Sequence, residues 1–132
     1  MAQAINRVLI KPCDAQTINS TATYTSAQQD LGDDRDIVDI WMYAEVTGYA
    51  TTPAGNKKLT VQIAPVHTTG GDAFADGAAT YLFTVAADQA YRFAWPVASL
   101  PRFFKLLVKN DTDQNTDANA VSVWIEYTEE TV

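Results

Sequence analysis

Few side chains in this 132-residue sequence are of a type that performs chemistry, and their spacing works against them. His67 is the sole histidine and Cys13 the sole cysteine. A metal centre needs several ligands converging on one ion, and a general base needs a reacting partner, so His67 reads as a loop residue. A Cys13 nucleophile with His67 as its base would need surroundings that lower the thiol pKa, and none is recognisable around it. Asp111, Asp113, Asn115 and Asp117 alternate like the oxygen ligands of a calcium loop. Thr116 stands where the turn glycine belongs, and Ser122 where the closing glutamate belongs. The segment is therefore no EF-hand; a looser ion site and a solvated acidic loop are the two readings left. Gly70-Gly71-Asp72 and Asp76-Gly77 lack the lysine and the strand-to-helix junction of a phosphate cradle, so they read as turns. No cofactor motif and no catalytic set emerge, and the chain is not expected to be an enzyme.

The informative residues are aromatic. From Ile37 to Val46 the sequence alternates, which predicts a half-buried strand because successive side chains point to opposite faces of a sheet. Val38, Ile40, Met42, Ala44 and Val46 are expected inside, with Ile37, Asp39, Trp41, Tyr43 and Glu45 outside. The C-terminal run repeats the design: Val121, Val123, Ile125 and Tyr127 face in, and Ser122, Trp124 and Glu126 face out. Trp41, Tyr43 and Trp124 thus form one candidate protein–protein interface. Phe103 and Leu107, interleaved with Lys105 and Lys109, form a second. The plainer alternative is that residues 1–30 fold over these rings and cover them.

Positioning such residues calls for a β-rich domain. Leu59, Val61 and Ile63 point inward on one further strand, Tyr81, Phe83 and Val85 on the next, and Phe104, Leu106 and Val108 on a later one. Tyr91, Phe93 and Trp95 follow Ala87-Asp88-Gln89, which reads as a hairpin turn. The loops 47–57, 67–78 and 110–119 are rich in Gly, Asp, Asn or Thr, and Ala73–Ala79 offers at most one helical turn. Seven or eight short strands at this spacing predict an all-β, two-sheet antiparallel β-sandwich of jelly-roll type. Residues 1–36 read as an extended N-terminal arm with one or two edge strands, and 37–132 as the sandwich, together one domain. Removing residues 1–30 is expected to leave that sandwich folded.

Sixteen acids against nine bases give a net charge of −7. Neither a nucleic-acid backbone nor an anionic membrane is expected as partner, since both call for a basic surface. A single cysteine permits no internal disulfide and suits synthesis in a reducing cytosol. The opening residues contain no apolar run of signal-peptide or membrane-span length.

Asp14-Ala15-Gln16, Asp30-Leu31-Gly32 and Arg35-Asp36-Ile37, followed by the runs Leu59–Ile63, Tyr91–Val97, Leu100–Leu106 and Val121–Tyr127, resemble the capsid cement (decoration) proteins of tailed bacteriophages. The resemblance spans most of the chain through short motifs. It implies a jelly-roll protein docked on the outer surface of the virion across joints between subunits of the major capsid protein, and made in the bacterial host cytoplasm. It also implies self-association, as a dimer or alternatively a trimer. A carbohydrate-binding sandwich, with Trp41, Tyr43 and Trp124 stacking on sugar rings, is the alternative of a different class. A tail or head-completion component is the near alternative.

Overall fold

A computed structural model describes residues 4–32, 35–49, 51, 53–54, 58–67, 79–84 and 90–131. Nine strands follow one another, with no helix among the described residues: β1 (Ala4–Gln16), β2 (Thr23–Thr25), β3 (Gln29–Asp30), β4 (Arg35–Val46), β5 (Lys58–Pro65), β6 (Ala79–Thr84), β7 (Tyr91–Val97), β8 (Phe103–Asn110) and β9 (Val121–Thr131). One sheet runs β1-β9-β4-β7. The other runs β2-β8-β5-β6, with β3 also paired to β8, and every pairing is antiparallel. Because β2 and β3 both lie along β8, they act as one interrupted strand. First then pairs with last, second with second-to-last, and so inward to the β5–β6 pair. That nesting is a long antiparallel ribbon wrapped on itself, which is the jelly roll.

The core follows from alternation. Met42, Ala44 and Val46 on β4, Leu59, Val61 and Ile63 on β5, Phe104, Leu106 and Val108 on β8, and Val121, Val123, Ile125 and Tyr127 on β9 are all buried. They interdigitate between the sheets, where each large side chain withdrawn from water contributes about 1.5–3 kcal/mol.

Alternation fails at one point. Asp39 has φ 52°, and the β4–β9 register slips between Val38 and Trp41, so β4 carries a bulge there. One extra residue reverses in and out on its N-terminal side. Ile37 packs against the core, and Val38 is 45% exposed, the opposite of what strict alternation predicts. The expected hairpin at Ala87–Gln89 is also overturned. That turn lies outside the described residues, but β6 belongs to one sheet and β7 to the other, so the chain crosses between sheets there. In a wrapped ribbon, the strand after the tightest hairpin must return to the opposite layer. Gly70–Asp72, Ala73–Gly77, Val85 and the side chains of Tyr81 and Phe83 fall outside the described residues as well.

The N-terminal segment is woven into both sheets. β1 pairs with β9 from Ala4 to Gln16, and β2 and β3 pair with β8. Cys13 and Ile18 are core residues. These contacts correct the expectation that residues 1–30 are dispensable for folding: their removal strips an edge strand from each sheet and opens the core.

Candidate functional site

Strand register assembles the first face residue by residue. In the sheet β1-β9-β4-β7, Leu9 lies opposite Glu126, Glu126 opposite Trp41, and Trp41 opposite Pro96. In the next row Trp124 lies opposite Tyr43, and Tyr43 opposite Ala94. A third row sets Ser122, Glu45 and Arg92 side by side. Trp41, Tyr43 and Trp124, far apart in sequence, therefore share one outer surface. β1 lies beside these rings and does not roof them: Leu9 is 59% exposed and Trp41 36%.

Charges frame the rings. The Arg7 guanidinium donates to Glu126 at 2.6 Å and to the Asp39 carboxylate and carbonyl, each at 2.9 Å. It also reaches the Thr128 hydroxyl at 2.9 Å, so it ties β1 to β9 and to the bulge of β4. Its hydrogen bond to Glu126 raises the Arg7 pKa further, which keeps the clip charged. Lys11 Nζ sits 4.8 Å from the centroid of the Trp124 ring, a cation–π contact, and pairs with Asp14 at 3.0 Å. Arg92 donates to Glu45 at 2.7 Å. Between the rings and this last pair is a depression of about 210 Å³ lined by Tyr43, Ala44, Glu45, Arg92, Phe93, Ala94 and Trp124. Ala94 leaves it open, being small where Pro96 and Arg92 flank it on the same face of β7.

The second candidate patch is on the opposite side of the molecule. Phe103 and Leu107 project from the outer face of β8, half-buried, with Lys105 and Lys109 between and beyond them. Leu107 is flanked by Thr25 of β2 and Gln62 of β5. Arg102 covers the Phe103 ring at 4.5 Å and pairs with Asp30 at 3.1 Å. The five candidate residues thus form two surfaces facing apart, Trp41–Tyr43–Trp124 and Phe103–Leu107.

The remaining chemical candidates are spoken for. Cys13 is fully buried, its thiol donates to the Val121 carbonyl at 3.6 Å, and burial pushes its pKa up to about 12. His67 is exposed at the end of the β5 segment. In the 110–119 loop the oxygens serve the fold. Asp111 accepts from the Thr60 hydroxyl at 2.7 Å, Asp113 from the Ala54 amide at 3.1 Å, and Asn115 from the Ser20 amide at 2.8 Å. No group of three or more His, Cys, Asp and Glu is placed to hold a metal among the described residues.

Sequence reading placed Glu45 outward beside Tyr43 but missed Leu9, Ala94, Pro96 and Arg92 as members of the first face. Leu9 had a usable signal, since Ile5, Arg7, Leu9 and Lys11 alternate with Val8 and Ile10. Ala94 had none: its smallness matters only once β7 is laid against Tyr43.

Neither a protein-family model nor a curated protein matches the sequence. Solved structures match in fold. A chain of turnip yellow mosaic virus is similar at a TM-score of 0.52 and 10% identity, over 98% of this chain and 80% of that one. Latent PorU from Porphyromonas gingivalis is similar at 0.51 and 12%, over 99% of this chain and 13% of that one. At these identities the likeness is one of fold: the chain is an all-β jelly-roll sandwich, an architecture found in a plant virus particle and also within a bacterial protein of another kind.

Proposed function

We propose that this protein is a structural component of a virion, a capsid cement protein that docks on the outside of the head across joints between major capsid subunits. The observation that carries the proposal is the placement of two ring-bearing surfaces on opposite faces of one rigid sandwich. A module with a single sticky face can cap a neighbour, whereas one with two can hold two bodies together. Aromatic and aliphatic anchors inside a charged rim are the usual material of protein interfaces. The jelly roll and its likeness to a chain of turnip yellow mosaic virus agree with this reading.

The mechanism is mechanical. Phe103 and Leu107 bury against the shell, while Lys105 and Arg102 at their edges supply orientation. A modest interface per copy becomes a strong restraint on the lattice when each copy engages several neighbours. The net charge of −7 keeps decorated particles dispersed.

The test is co-sedimentation with empty shells of the virus that carries the gene. Wild-type protein pellets with the shells and raises the temperature at which they disrupt, and Leu107→Glu abolishes both effects while leaving the circular dichroism spectrum unchanged. Undiminished pelleting of Leu107→Glu would remove that face from the mechanism. No pelleting of the wild type, with saturable binding on a glycan array, would replace the proposal by a sugar-binding role. The depression beside Tyr43 and Trp124, with the Glu45–Arg92 pair at its rim, is the place such a sugar ring would sit.

A further inference from the structure

We infer that the outer face of the β1-β9-β4-β7 sheet is a self-association surface, on which a second copy of this chain packs about a two-fold axis.

Three observations select a second copy over other occupants. The first is charge. The chain carries −7, so two copies repel each other as whole molecules. On this face Arg7 holds Asp39 and Glu126, Lys11 holds Asp14, and Arg92 holds Glu45. Three cations against four acids leave only −1 of that −7, and every cation is already paired. Asp36 and Glu130 lie at the far end of the face, beyond this region. Two identical acidic molecules can meet where their field nearly vanishes, and a cationic partner would be drawn elsewhere.

The second observation is relief. Trp41 stands out of the face two residues along β4 from Tyr43, which lines the 210 Å³ depression. A knob and a hollow side by side on one surface are self-complementary. An isologous contact requires that a residue touching another be touched in return by its counterpart. A two-fold axis running across the strands between the Trp41 row and the Tyr43 row sets Trp41 of each copy against the depression of the other, with Pro96 and Leu9 closing the flanks. One indole fills a hollow too small to enclose a drug-sized ligand, for which about 300–1,000 Å³ is usual.

The third is area. Four strands about 4.8 Å apart, with roughly 8 residues at about 3.3 Å each along β9 from Val121 to Thr128, give a face of roughly 500 Å². Two such faces bury about 1,000 Å², the threshold for a specific contact and the size of a weak, concentration-dependent one.

This inference rests on the cement reading in one respect, since the two bodies joined by one molecule become the shell, held through Phe103 and Leu107, and a second copy. It fails separately, because it is read in the absence of any shell. The experiment is sedimentation velocity on the full chain, free of any shell, across micromolar to millimolar concentrations at low and high salt. A concentration-dependent dimer is expected, stronger at high salt, which screens the −7 on each copy while the apolar contact and its paired charges persist. Ala94→Arg places a long cation in the hollow at an exposed position, and should weaken the dimer roughly tenfold or more. Trp41→Ser removes the knob and should do the same, which keeps the test decisive if the first variant folds poorly. Leu107→Glu, on the far face, should leave the dimer intact. A wild type that stays monomeric throughout overturns the inference, as does a dimer that survives both face variants. Loss of shell binding in Ala94→Arg, from a wild type monomeric in solution, would also overturn it, while leaving the cement proposal standing with this face as the shell contact.

Discussion

At the residue scale, the most consequential polar side chain is Asn110. It is fully buried at the end of β8. Its amide donates to the carbonyls of Ile18 at 2.9 Å and Gln114 at 2.8 Å, and its carbonyl accepts from the Thr112 amide at 3.1 Å and hydroxyl at 2.6 Å. One side chain thus staples the β1–β2 connection to the 110–119 loop. Asn110→Ala strands buried partners and should lower unfolding free energy by about 2–4 kcal/mol in urea denaturation. Cys13 gives a second residue-scale expectation. With its thiol pushed to about 12 and no solvent contact, it should resist a thiol reagent at pH 8 in native protein and react fully once unfolded. Asp30 gives a third. Its carboxylate accepts from the Gly32 amide at 2.9 Å and from Arg102 at 3.1 Å, and these contacts hold its pKa below the ordinary carboxylate value. A group depressed on folding contributes stability that is complete above its unfolded pKa and is lost as pH falls through the folded one. Asp30→Asn should therefore flatten the acid limb of the stability curve and leave its shape above pH 6 unchanged, as read from urea midpoints.

At the element scale, the bulge in β4 decides which side chains meet the solvent. A non-glycine residue in left-handed conformation is uncommon, and Asp39 holds it while its carbonyl and carboxylate both receive Arg7. The clip joins the outermost strand to the kinked one. Arg7→Ala should speed amide exchange across the first half of β1, near Ile5 to Leu9, and leave the half around Cys13 protected. Uniform exchange along the strand would show that the clip holds nothing. Most strands could be read from alternation alone, because β4, β5, β8 and β9 each bury one face. The bulge could not, since the contact that accompanies it comes from Arg7, 32 residues away in sequence. Likewise, the β6–β7 crossing could not be told from a hairpin, because a turn-rich stretch looks the same whether its flanking strands pair or part.

At the scale of the whole molecule, the termini close the structure. β1 and β9 are first and last in the chain and are neighbours along nearly their whole length. The segment poor in large apolar residues, from Asp14 to Asp30, enters the sandwich by pairing its backbone with β8 and placing Ile18 and Ser26 in the interior. A chain lacking residues 1–30 should show no cooperative thermal transition. A folded, cooperative remnant would return that segment to the status of a separable arm.

The alternation of apolar and polar residues by itself determined an all-β sandwich, the inward faces of its central strands, and the outward aim of Trp41, Tyr43, Trp124, Phe103 and Leu107. Those are local properties, because a strand displays its side chains with period two whatever it pairs with. Tertiary structure alone decided which strands lie side by side, and so which outward residues share a surface. Pairing first with last carried Leu9 and Trp124 to Trp41 and sent Phe103 and Leu107 to the far side. Register is set by contacts between segments distant in sequence, and it is invisible until the ribbon wraps.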